Sequence, residues 1–196
     1  MKTLDDVQDD NFNPRYAAPN SMFEWLNDNL PNGSKILEFG SGTGTIKLTK
    51  SFEVTSIEDN EQWLYLAPES TYIYAPSVND WYDWQALEIL QDETFEAIII
   101  DGPAGINNRV HLIDWINVYP NVFNQARFVV VDDVFLPTGE TPFVQLFKQL
   151  GWELLHHNPS EKDGHNWSVY VKIHECPECG EEFNRYNDMI ECCANL

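Results

Sequence analysis

The sequence predicts an α/β fold: a doubly wound, mostly parallel seven-stranded sheet with a C-terminal antiparallel hairpin. Three observations predict it. From residue 20 onward, short apolar runs alternate with amphipathic segments, the rhythm of a parallel sheet covered by helices. Two runs, 97–100 and 128–131, are apolar at consecutive positions, as strands buried on both faces are. The alternation then breaks. Runs 152–156 and 167–173 follow each other with only a short polar connection between them, so they should pair antiparallel.

The elements follow in order. Residues 1–19 are acidic and polar with Pro14 and Pro19, and read as a flexible arm. Ser21 should open a helix, with Glu24 completing an S-x-x-E capping box. Met22, Trp25, Leu26 and Leu30 recur at helical spacing, and Pro31-Asn32-Gly33 ends the helix. Strands are expected at 35–39, 52–57, 71–75, 95–100 and 128–131. Helices are expected at 46–50, 61–66, 84–90, 110–118 and 142–150, the last stopped by Gly151. The predicted organisation is an arm (1–19), one domain (20–173) and a small cysteine-rich tail (174–196).

Composition narrows the function. The 196 residues carry 32 acidic and 11 basic side chains, for a net charge of -21. That field repels phosphate backbones and argues against nucleic acid as the main substrate. It suits a heavily solvated surface, for which a high-salt habitat is one setting. No apolar run reaches the roughly 18 residues of a membrane span, and the first ten residues lack the apolar core of a secretory signal. The expectation is a cytoplasmic protein without a membrane segment.

The first strand runs into Gly40-Ser41-Gly42-Thr43-Gly44. Glycines there let the backbone turn sharply and approach a ligand closely. A dinucleotide site would space them G-x-G-x-x-G; this loop is G-x-G-x-G and is preceded by Glu38. A carboxylate at that place repels pyrophosphate but can support a site for an amino-acid ammonium group. The second strand ends in Glu58-Asp59, where an acid suits the two hydroxyls of a ribose.

With these residues in hand, residues 20–173 resemble the class I S-adenosylmethionine-dependent methyltransferases. The resemblance rests on ILEFGSGTG, on Glu58, on IIIDG at 98–102 and on the closing hairpin. It implies that the loop from Gly40 to Gly44 holds the methionine part of the cofactor, that Glu58 binds the ribose, and that Asp80 and Trp81 flank the adenine.

Ligands of open α/β sheets bind at the carboxyl ends of the strands. Two of those ends carry acids, Asp101 before Gly102-Pro103 and the pair Asp132-Asp133. Converging carboxylates repel unless a cation or proton intervenes, and hard oxygen ligands suit Mg²⁺. The arrangement is similar to cation-dependent catechol-type O-methyltransferases, with Asp-Asp where that group has Asp-Asn. The D-G-P-x-G wording with Arg109 nearby also resembles polysaccharide O-methyltransferases. The implied reaction is methyl transfer to a hydroxyl of a sugar or small metabolite, with Asp101, Asp132, Asp133 and Arg109 as the catalytic set. The alternative is a non-catalytic module that keeps the cofactor fold and meets a protein partner through its tail.

That tail holds all four cysteines, Cys176, Cys179, Cys192 and Cys193, while the preceding 175 residues have none. Clustering of this kind suits a local metal site rather than a disulfide framework. Cys176-Pro-Glu-Cys179-Gly180 resembles the first half of a zinc ribbon. The fourth ligand is left open between Cys193 and His174.

Overall fold

The computed structural model describes residues 18–104, 106–133, 135–136, 139–140, 142–159, 166–176, 179–183 and 192. The expected N-terminal arm lies outside the described residues but for its last two. The chain opens with helix α1 (Asn20–Asn29), strand β1 (Lys35–Phe39), helix α2 (Thr43–Leu48), strand β2 (Glu53–Glu58) and strand β3 (Thr71–Tyr74). A two-residue-per-strand hairpin follows, β4 (Ser77–Val78) and β5 (Trp81–Tyr82), then α3 (Trp84–Leu87) and β6 (Ala97–Ile100). A 3₁₀ turn (Ile106–His111) leads into α4 (Leu112–Val118), α5 (Pro120–Asn124) and β7 (Phe128–Asp132). Short strands β8 (Phe135–Leu136) and β9 (Gly139–Glu140) precede α6 (Pro142–Gln149), β10 (Trp152–Asn158) and β11 (Trp167–Lys172). The tail contributes β12 (His174–Glu175) and β13 (Glu182–Phe183).

Seven strands form one sheet in the order β10-β11-β7-β6-β1-β2-β3. The neighbours from β7 to β3 pair parallel. β11 runs antiparallel to both β7 and β10, as the break in the rhythm predicts. Side chains of successive strand residues point to opposite faces, and both faces are apolar. Phe39, Ile98, Ile100, Val129 and Val131 enter one core together with Trp115 and Phe147. Ile36, Ile99, Phe128 and Val130 enter the other with Met22, Leu26 and Trp167. Among the described residues no helix is long and apolar enough to cross a membrane.

Two local expectations fail for the same kind of reason. Ser21 does not cap α1, whose N-cap is Pro19 with no side-chain cap. Its Oγ instead accepts from the Trp167 indole N–H at 3.0 Å and from Asn158 Nδ2 at 3.2 Å. Trp167 is buried, and a buried donor left unsatisfied costs about 1–3 kcal/mol, comparable to or above the ~1 kcal/mol of a cap. The helix expected at 61–66 is a series of turns. Asn60 Oδ1 accepts from the Gln62 amide at 3.0 Å and Tyr65 has φ 64°, so a side-chain-closed turn replaces the helix.

Candidate cofactor and acceptor site

The first half of the site is the end of β1 and β2. Glu38 is buried, and its Oε2 accepts from Thr45 Oγ1 at 2.7 Å and Ser56 Oγ at 2.8 Å. Burial raises its pKa to about 7, against the opposing pull of these two hydrogen bonds. Glu38 therefore supports the loop from below. Gly40 turns the loop with φ 89°, a region that side-chain-bearing residues avoid. A Cβ there would lie 2.8 Å from the Gly102 amide nitrogen and 2.9 Å from its Cα. The loops after β1 and β6 thus touch backbone to backbone, which only glycine on both sides allows. A Cβ on Gly102 would lie 2.7 Å from Gly40 Cα and overlap the Tyr82 hydroxyl. Around Gly42, by contrast, a Cβ meets nothing within 4 Å. Thr43 opens α2, and Gly44 packs against Phe23, 3.4 Å from a notional Cβ.

Glu58 closes the loop from the side. Its Oε2 accepts from the Ser41 amide at 2.7 Å and the Ser41 hydroxyl at 3.0 Å, and its Oε1 accepts from the Asn60 amide at 2.8 Å. Burial raises its pKa while the Asn60 and Ser41 hydrogen bonds lower it. Asp59 follows, half-buried.

The second half is the end of β6 and β7. The Arg109 guanidinium is buried; Nη1 donates to the Asp132 carbonyl and Nη2 to the Asp101 carbonyl, both at 2.7 Å. Nη2 also lies 3.7 Å from Asp101 Oδ1 and 4.0 Å from Asp133 Oδ2. Carboxylate oxygens of Asp101, Asp132 and Asp133 fall within 4.8 Å of one another. Burial, then the neighbouring Asp132 charge, push the Asp101 pKa well above the usual carboxylate range, with Arg109 pulling the other way. Asp133 has φ 55°, which turns the chain out of β7.

The structure therefore brings together all four members of the expected catalytic set. Arg109 braces two strand ends through their carbonyls. The Arg109 guanidinium supplies positive charge beside the acids, and the three carboxylates also lie close enough together to hold a cation. The two residues expected to flank the adenine lie in the β4–β5 hairpin. Asn79 (φ 53°) and Asp80 (φ 65°) form the turn between β4 and β5, a hairpin turn that favours Asn and Asp, and Asp80 is exposed there. Trp81 is buried in the core with its ring centroid 6.0 Å from Phe39.

Sequence reasoning missed Tyr82. Its hydroxyl is buried against Gly102, with no hydrogen-bond partner among the described residues. It feels the charges of Glu58, Asp59, Arg109 and Asp101, which places it between the two halves of the site. The Asn-Asp turn signal before an aromatic pair was the available clue.

No protein-family model matches the chain, and no curated protein matches it in sequence. Solved structures do match. A TehB-like S-adenosylmethionine-dependent methyltransferase from Corynebacterium glutamicum superposes with TM-score 0.50 at 15% identity, over 85% of this chain and 91% of its own. Fibrillarin from Aeropyrum pernix, with natively bound S-adenosyl-L-methionine, gives TM-score 0.55 at 10% identity, over 80% and 76%. The glycopeptide N-methyltransferase MtfA in complex with S-adenosylmethionine gives 0.53 at 13% identity, over 80% and 95%. Glycine loop, strand-end acids, sheet order and these likenesses agree: the chain has the class I S-adenosylmethionine-dependent methyltransferase fold.

Proposed function

We propose that this protein is a cytoplasmic S-adenosylmethionine-dependent methyltransferase that methylates a hydroxyl of a sugar or other small metabolite. The observation that carries the reading is the backbone contact of Gly40 with Gly102. It brings the glycine loop, to which Glu58 is hydrogen-bonded, against the strand end that carries Asp101.

The residues fit the cofactor. A carboxylate has about four acceptor sites, and three hydrogen bonds to Glu58 leave one for a ribose hydroxyl. The second hydroxyl can take the place of the Ser41 hydroxyl, which also reaches the Trp63 carbonyl at 3.2 Å. The open space at Gly42 admits the methionine part, and the acids of the cleft suit a cationic ligand. Bound there, the cofactor supplies an electrophilic methyl group. The chain's own contribution is to hold the acceptor and take its proton. Taking that proton is a role worth about 10²–10⁴-fold, and we assign it to Asp101, whose carboxylate stands beside Arg109 and within 4.8 Å of those of Asp132 and Asp133. Arg109 fixes the Asp101 and Asp132 carbonyls and so sets where the Asp101 carboxylate stands.

The test is Asp101→Asn in a methyl-incorporation assay on pools of sugars and hydroxylated metabolites, with calorimetry on S-adenosylmethionine and NAD. Turnover should fall about 10²–10⁴-fold while cofactor affinity stays within a few-fold. Binding of NAD but not S-adenosylmethionine overturns the reading. Cofactor binding without turnover on any pool favours the alternative of a scaffold module.

A further inference from the structure

Outside the cleft, one cluster of chemically active side chains has no part in methyl transfer. The Sγ atoms of Cys176, Cys179 and Cys192 lie within 4.8 Å of one another. Cys176 and Cys179 stand in the turn of the β12–β13 hairpin. The Cys176 amide donates to the Glu181 carbonyl and the Gly180 amide to the Cys176 carbonyl, each at 2.8 Å. Gly180 takes φ 76°, which lets the chain double back and aims both thiols to one side. Cys192 arrives from a separate stretch of chain. Its Sγ is 3.5 Å from that of Cys179, far beyond the ~2.05 Å of a disulfide. It is close to the ~3.8 Å between two sulfurs on one tetrahedral zinc with ~2.3 Å bonds. His174 is not among the clustered groups, and Cys193 lies outside the described residues.

We propose that Cys176, Cys179 and Cys192 are three thiolate ligands of a structural zinc ion placed on the far side of the sheet from the cofactor cleft. The placement follows from strand direction. Trp167, the first residue of β11, pairs with Asp132 at the cleft end of β7. β11 then runs away from the cleft for five further residues to Lys172, about 17 Å at ~3.3 Å per residue. Only Ile173 separates it from β12. A zinc ion held there cannot touch a methyl acceptor. Its work is to bind the Cys192 segment to the hairpin, with the thiol protons released to solvent as the thiolates form.

The experiment uses the reduced full-length chain and does not depend on methyl transfer. Metal analysis should find one equivalent of zinc. Exchange for Co²⁺ should give thiolate-to-metal charge-transfer absorption in the near ultraviolet. Cys192→Ser should lose both signals while the near-ultraviolet circular dichroism of the buried tryptophans is retained, which separates ligand loss from misfolding. Chelation of the wild type should leave that dichroism unchanged. No zinc or Co²⁺ uptake by the reduced wild type overturns the proposal, as does a Cys192→Ser chain that binds metal as tightly as wild type. Collapse of the tryptophan signal on chelation overturns the remote placement.

Discussion

Two alanine substitutions in one loop separate the role of the glycines in folding from their role in binding. At Gly40 the methyl group faces two costs. The backbone sits at φ 89°, and a left-handed conformation costs a non-glycine residue about 1–2 kcal/mol. The Cβ would also stand 2.8–2.9 Å from Gly102 where carbon contacts settle near ~3.5–4.0 Å, so one loop must retreat by roughly 0.6–1.2 Å. Such overpacking costs about 1–3 kcal/mol, and Gly40→Ala should lose about 2–5 kcal/mol in denaturant unfolding. At Gly42 neither cost exists. Its φ of -176° is ordinary extended backbone and its Cβ meets nothing within 4 Å. A less favourable helix N-cap is offset by the smaller freedom of the unfolded chain, about 0.4–1 kcal/mol. Stability of Gly42→Ala should stay within about 0.5 kcal/mol of wild type. The same methyl group enters the space assigned to the cofactor, so calorimetry should show at least a tenfold weaker affinity for S-adenosylmethionine, about 1.4 kcal/mol. A Gly42→Ala protein that binds the cofactor like wild type would refute the assignment of the loop. A Gly40→Ala protein as stable as wild type would refute the packing argument.

Two further perturbations address side chains. Glu38 has its pKa raised from 4.5 to about 7 by burial, so between these values the unfolded chain holds fewer protons than the folded one and stability falls as pH rises. Glu38→Gln should remove about 3 kcal/mol of that slope while its amide oxygen still accepts from Thr45 and Ser56; parallel wild-type and variant denaturation profiles from pH 5 to pH 8 would sink the idea. Tyr82→Phe deletes a buried hydroxyl that has no partner among the described residues, so the melting temperature should hold or rise. Ligand affinity should fall several-fold, by the ~0.5–1.5 kcal/mol of one hydrogen bond, and unchanged affinity in calorimetry would show that the hydroxyl does not face the ligand.

The parts of the fold that could be read in advance are those written in adjacent residues. Ala97 to Ile100 and Phe128 to Val131 are apolar at every position because each strand is covered on both faces. The hairpin of β10 and β11 announced itself by the missing helix. Glu38, the glycine loop and Glu58 were legible because their spacing along two neighbouring strands is local. What escaped depends on contacts between residues far apart in the chain. Ser21 has the form of a helix cap, yet a tryptophan at position 167 claims its hydroxyl. Arg109 looks like any surface base until two carbonyls, from different strands, are found on its guanidinium. Trp81 carries the composition of a ligand platform but sits where two successive strand residues are both buried. Tyr82 acquires interest only because the Gly102 backbone presses on it.

β11 is the last strand of the sheet to emerge in the chain, yet it lies between β7 and β10 rather than at a margin. During synthesis, β7 therefore exists with one backbone edge open until residues 167–172 leave the ribosome. Its five residues, FVVVD, are an apolar, β-branched run of the kind that pairs with other chains when its edge is bare. A nascent chain or truncation product stopped before Trp167 would be a source of aggregation rather than a smaller folded domain. Emergence of residues 167–172, not the appearance of the glycine loop, is the event that lets this sheet close.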